Sequence, residues 1–227
     1  MLTEQMKKII TDAESSGWVM EPEAKALFRE AGLPVPRFAW AKTVEAAAGF
    51  ANDTGYPVVA KIVSPKVVHK SDVGGVVAGI RSEVELRNAF ERLRGLDGFA
   101  GVLVEEMVAG IEMILGAKND AQFGPVVLLG MGGTGVEVYN DVAIRMAPLD
   151  ERDVADMLPC LKGYKLLKGY RGQPAVDMAA LSETVIGFSR LLMDLEPYFE
   201  SIDINPLMCS PEGCVIADAR IILRKEK

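Results

Sequence analysis

Ser210-Pro211-Glu212-Gly213 constrains the fold of this chain more than any other four residues. Proline at the second place, with its fixed φ, and glycine at the fourth fit a type I turn. So tight a turn makes its flanks antiparallel neighbours and sets their register. Counting outward from it in a regular hairpin, Asn205 faces Asp218, with Cβ atoms ~5 Å apart. Asp203 lies two residues before Asn205 and therefore shares its face. One face then gathers Asp203, Asn205 and Asp218. A small set of hard oxygen ligands suits Mg²⁺, which keeps several waters and takes few protein ligands besides phosphates. A polar sheet edge with solvated carboxylates has the same spacing, so spacing alone leaves both readings open. The same count sets Cys209 opposite Cys214, a coincidence or a reduced cross-strand pair; without further Cys or His it is a poor zinc site.

Elsewhere the pattern alternates between periods. Residues 3–14, 22–31, 44–53, 84–93, 150–158 and 177–194 read as helices. The second ends at Gly32, and Pro34 and Pro36 block its continuation. Residues 35–40, 57–63, 74–80, 102–106, 112–117, 126–129, 142–147, 201–207 and 214–222 read as strands. The result is an α+β chain with several antiparallel hairpins. It has neither a GxGxxG fingerprint after a first strand nor a GxxxxGK[ST] loop. Composition marks no linker, and the hinge is expected near residue 105.

Of the 227 residues, 49% are hydrophobic, enough for one large domain or two small lobes with their own cores. With 25 Lys+Arg against 32 Asp+Glu the net charge is -7, which offers no electrostatic footing for nucleic acid or an anionic membrane. No stretch is long and apolar enough to span a bilayer. The first residues form a polar amphipathic pattern without the apolar run of a signal peptide. Three cysteines form no disulfide framework, as expected of a reduced, cytoplasmic chain.

Three further constellations carry chemistry. Lys61 lies near the end of the apolar run Pro57–Val63, from which its ammonium can meet phosphate oxygens as a point charge. The polar loop beyond it ends in Gly74-Gly75, which let backbone N–H groups approach a ligand closely. That loop holds His69, the one histidine of the chain. Imidazole is a competent nucleophile toward phosphorus near neutral pH, and an exposed loop histidine without a role fits equally. Val102–Glu106, followed by Met107, Val108 and Glu112, can form a nucleotide hinge in which backbone reads adenine and a carboxylate takes ribose hydroxyls; it also reads as a surface turn. Gly130-Met131-Gly132-Gly133-Thr134-Gly135 can cradle an anion or simply connect two strands.

Taken in order, EAKALFREAGLPVP, PVVAKIVSPKVVHKSDVGGV, LVEEMVAGIEMILG, GPVVLLGMGGTGVEV, IRMAPL and SIDINPL with Asp218 resemble one family from about residue 17 to the end. The chain is similar to the ATP-grasp (β) subunit of ADP-forming acyl-CoA synthetases of the acetate–CoA ligase type. The resemblance implies an ATP-grasp fold, two α+β lobes gripping the nucleotide between them, with lobes at 1–104 and 105–227. It implies an acid–thiol ligase reaction, acyl-CoA + ADP + phosphate giving acid + CoA + ATP. By resemblance Lys61 holds nucleotide phosphates, with Gly74 and Gly75 beside it. Glu105, Glu106, Met107 and Val108 form the adenine hinge, Glu112 binds ribose, and Asn205 and Asp218 ligate Mg²⁺. Asp203 steadies a phosphohistidine, and His69 carries the phosphoryl group to ADP. The CoA-binding and ligase domains are then expected in an α partner, in an α2β2 heterotetramer. A regulatory module of an acyltransferase assembly and a scaffolding subunit with a vestigial pocket are the alternatives.

Overall fold

The computed structural model describes residues 1–67, 69–133 and 141–224. The chain forms two compact units. The larger comprises Met1–Val19, Glu23–Val35 and Ala109–Lys227, and the smaller Met20–Pro22 and Pro36–Val108.

In the larger unit the described residues form a seven-stranded antiparallel sheet. Its strands are β1 (Trp18–Val19), β6 (Ile111–Asp120), β7 (Gly124–Met131), β8 (Val142–Met146), β9 (Phe199–Ser210), β10 (Gly213–Ile216) and β11 (Ala219–Leu223). They run in the order β1-β11-β9-β6-β7-β8, with β10 also on β9. One face alternates into the core through Met113, Leu115, Val127, Leu129, Ile202 and Ile204. The eighteen-residue helix Met178–Leu195 contributes Leu181, Val185, Phe188, Leu192 and Leu195 to that core. Its N-cap Asp177 accepts N–H bonds from Ala179 and Ala180, both 3.0 Å. Helices α1 (Glu4–Ala13) and α2 (Glu21–Glu30) add Met6, Ile10, Leu27 and Phe28, and Phe28 meets Phe188 edge to face at 6.3 Å.

The described residues of the smaller unit form a four-stranded antiparallel sheet in the order β2-β5-β3-β4. These strands are β2 (Phe38–Ala41), β3 (Val58–Val63), β4 (Val76–Ile80) and β5 (Gly101–Glu106). Helices α3 (Val44–Thr54) and α4 (Glu83–Arg94), capped by Thr43 and Ser82, cover one face. Ala47, Ala51, Leu86, Phe90 and Leu93 pack there against Val58, Ala60, Ile62, Val102 and Val104. Lys61 and Glu105 point to the other face, since β3 and β5 alternate.

Two differences from the sequence reading have physical causes. The strand expected over 214–222 is two strands, because the β9 ladder is interrupted between its pairs Leu207↔Ile216 and Ile204↔Ala219. The expected boundary at 104/105 differs from the observed units in two respects: residues 105–108 stay with the smaller unit, and residues 1–19 and 23–35 join the residues beyond 108. Trp18 pairs with Ile222, and the leading helices bury their apolar stripes in that core.

Cys209 and Cys214 face each other, buried, with sulfurs 3.1 Å apart, while Cys160 is exposed. The hydrogen bond with Cys214, and then burial, push the Cys209 thiol far above the usual range, so its thiolate stays suppressed through mildly alkaline pH. A colorimetric thiol titration at pH 8 should find one fast-reacting group in the native protein and three in denaturant.

Candidate functional site

The hairpin register is the one counted from the turn. Ser210 pairs with Gly213, Cys209 with Cys214, and Asp203 with Arg220. Between the two ladders Asn205 donates its N–H to the Asp218 carbonyl at 3.3 Å, so these two residues are opposite. On its other side β9 pairs with β6, and the register shifts between Met113↔Leu207 and Leu115↔Ile204. Asn205 and Pro206 therefore oppose a single residue, Ile114, which is a β-bulge. Gly116 faces Asp203, so that neighbour presents no side chain to it. Asp203 and Asp218 are half-buried and Asn205 is exposed. Arg220 Nη2 lies 3.6 Å from Asp203 Oδ2, and Asp218 Oδ1 accepts the Ala219 N–H at 2.7 Å.

This set fits magnesium by the chemistry of its donors. An amide carbonyl and a carboxylate on opposed residues are hard oxygens, and a second carboxylate shares their face. Among the described residues no group of three or more His, Cys, Asp or Glu converges to hold a metal ion, so protein ligation here would rest on one amide and one carboxylate. Asn205 and Asp218 would hold the ion, leaving its other positions to waters and phosphate oxygens.

The smaller unit holds a buried group of four charges. Lys61 Nζ lies 2.8 Å from Glu21 Oε1 and 2.6 Å from Glu105 Oε1. Lys70 Nζ lies 2.8 Å from Glu21 Oε2. All four side chains are at least 86% buried, which only mutual pairing makes tolerable. Glu21 and Lys70 are the members that motif reading misses. The partners are 40 residues apart for Glu21 and Lys61, and no local period reports such a contact.

His69 is exposed in the loop that Lys70 anchors, and Val68 beside it lies outside the described residues. The Gly74 and Gly75 N–H groups, read from sequence as ligand donors, are engaged inside this loop. Gly74 donates to Ser71 and Gly75 to Lys70, the latter at 2.6 Å. What Gly75 supplies is close approach: a Cβ there would stand 2.5 Å from Ile62 Cγ2 and 2.8 Å from the Lys70 carbonyl.

The hinge residues divide by environment. The Glu105 carboxylate is spent on Lys61, and Glu106 accepts the Arg37 N–H at 2.9 Å, so side-chain recognition of a base falls to neither. Met107 is exposed and Val108 half-buried. In the larger unit Glu112 is exposed, and its carbonyl accepts the Gly132 N–H at 2.7 Å. Gly130 and Gly132 are needed there, since a Cβ on Gly132 would meet the Glu112 backbone at 2.7 Å. Thr134, Gly135 and the rest of that loop to Asn140 lie outside the described residues.

A model of the ATP-grasp domain matches residues 11–223. The β subunit of ADP-forming acetate–CoA ligase I from Pyrococcus furiosus is 40% identical over 213 residues, 90% of this chain and 91% of that subunit. ADP-forming acetate–CoA ligase I of Archaeoglobus fulgidus is 39% identical over 221 residues, 94% of this chain but 32% of that longer protein. Among solved structures, acetyl-coenzyme A synthetase 1 of Ca. Korarchaeum cryptofilum with coenzyme A and Ca-AMPCP is similar at TM-score 0.90 and 41% identity. That match covers 96% of this chain and 99% of the other. Its complex with Mg-AMPPCP, whose phosphohistidine segment points towards the nucleotide-binding site, has TM-score 0.84 at 40% identity over 96% and 100% of the two chains.

Removing one partner of a buried ion group strands the rest. Glu21→Gln should lower stability by about 3–5 kcal/mol in a urea titration, well beyond the ~1 kcal/mol of an exposed pair such as Lys66–Asp97.

Proposed function

The chain belongs to the ATP-grasp domain family, and on that footing we propose that it is the nucleotide-binding β subunit of an ADP-forming acetyl- or acyl-CoA synthetase. The observation that carries this reading is the opposition of Asn205 and Asp218 at a break in the sheet, with Asp203 on the same face. It is a hard-oxygen pair in a chain that matches β subunits along nearly their whole length. Acyl-CoA, ADP and phosphate are converted reversibly to acid, CoA and ATP. The acid and CoA chemistry belongs to an α chain with CoA-binding and ligase domains, in an α2β2 assembly working in the cytoplasm.

This chain performs the last transfer. His69 receives a phosphoryl group on an imidazole nitrogen and delivers it to ADP. The N–P bond breaks, a P–O bond forms to the terminal phosphate of ADP, and the imidazole regains its lone pair. Phosphoryl transfer needs little covalent help, and catalysis is mainly positioning and charge neutralisation. Lys61, held by Glu21 and Glu105, supplies a fixed positive charge for the phosphates. Asp203 accepts a hydrogen bond from the phosphohistidine ring and holds its orientation. Glu112 takes ribose hydroxyls, and the backbone of residues 105–108 reads the base. Asn205 and Asp218 would hold magnesium, which would supply charge neutralisation for the phosphates when bound.

With the α chain and γ-labelled ATP, acid-labile phosphate should appear on this chain and vanish in His69→Ala; equal labelling of that variant would remove His69 from the route. Asn205→Ala and Asp218→Ala should each raise the Mg²⁺ needed for half-maximal ADP binding by about tenfold or more, read by calorimetry. An unchanged Mg²⁺ dependence in both would refute the metal assignment.

A further inference from the structure

Lys25, on α2, is among the largest fully buried side chains of the described residues, at 0% exposure. Burying an ammonium costs several kcal/mol unless strong acceptors meet it. Its Nζ donates at 2.7 Å to the carbonyl of Ala217, 192 residues away. Ala217 stands where β10 ends and β11 has not begun, so its carbonyl lies outside the regular ladder. A backbone carbonyl leaving a ladder inside a protein must find another donor.

The consequence falls on Asp218. The carbonyl held by Lys25 and the Asp218 N–H belong to one planar peptide unit. That N–H points at the Pro206 carbonyl at 3.4 Å, and the Ala217 N–H donates to the same oxygen at 3.0 Å. The plane is thus gripped at both ends, by Lys25 and by β9. Its orientation fixes the direction in which Asp218 leaves the chain, opposite Asn205. We infer that Lys25 is a positioning residue for the magnesium pair, aiming Asp218 through the Ala217–Asp218 peptide without touching the ion. This rests on the metal reading above. Lysine suits the place better than a shorter donor, because its stem crosses the apolar layer between α2 and the sheet while its head reaches the Ala217 carbonyl.

The test separates aim from stability. Lys25→Met in the full chain should lower Tm and also raise the Mg²⁺ concentration for half-maximal ADP binding about tenfold, the usual effect of losing a group that orients a ligand. Lys25→Gln, which keeps a donor on a shorter stem, should shift it in the same direction by less and serves if the methionine variant does not fold. Lys25→Arg, which keeps a charged donor, should restore most of the response. Leu181→Ala, in the same core, should lower Tm while leaving the Mg²⁺ titration in place. If Lys25→Met or Lys25→Gln lowers Tm yet titrates like the parent, Lys25 is only structural and the inference fails. If Asn205→Ala and Asp218→Ala also leave the titration unchanged, the metal reading itself has failed.

Discussion

Strand β9 must serve a core and a site at once, and the rest of the larger unit is arranged around that conflict. Strict alternation would carry one set of side chains inward along its whole length. Instead Ile202 and Ile204 point inward, then Leu207 and Cys209, with two residues spent between them. A slip of one residue in a sheet would normally turn the apolar set outward. Here the slip is absorbed locally, by the bulge opposite Ile114 on one side and the gap between β10 and β11 on the other. The irregular point is flanked on both sides by regular ladder, so Asn205 and Asp218 sit on stiff supports rather than on a loop.

The smaller unit resolves a different conflict. A lone ammonium buried as deeply as that of Lys61 would give up its proton or unfold its surroundings. Glu21 and Glu105 hold Lys61 charged inside the protein. Because Glu21 also meets Lys70, the same carboxylate fixes the root of the His69 loop.

The readable parts of this chain are those in which one local rule decides. A Pro-Glu-Gly turn and period-two alternation predict that Asn205 opposes Asp218, because register propagates residue by residue from a tight turn. The same rule misses the interruption at Ala217, whose carbonyl is met by Lys25, far away in sequence. Gly75 reads as a ligand contact because glycine permits approach; the approaching group is the chain's own Lys70 carbonyl, and only packing reveals that. Glu105 reads as part of a hinge from its place after an apolar strand. Its carboxylate belongs to Lys61 because β3 and β5 are neighbours with both residues on one face, a fact of sheet order. Sequence order alone also separates the leading helices from the core they complete.

That last arrangement bears on how the molecule comes to be folded. Trp18 and Val19 pair with Ile222 and Ile221, so the first strand made waits for the last. Until β9 and β11 emerge, the sheet on which α1 and α2 bury Met6, Ile10, Leu27 and Phe28 lacks its central and pairing strands. The smaller unit, whose strands all lie between residues 38 and 106, closes over much shorter loops and can form well before. On the ribosome the chain is therefore a folded middle carrying an adhesive, unsatisfied leader, and it is the C-terminal hairpin that ends this exposure. The segment that carries Asn205 and Asp218 is also the latch of the larger fold, so a truncation that removed these two residues would leave the leading helices without the strand that closes over them.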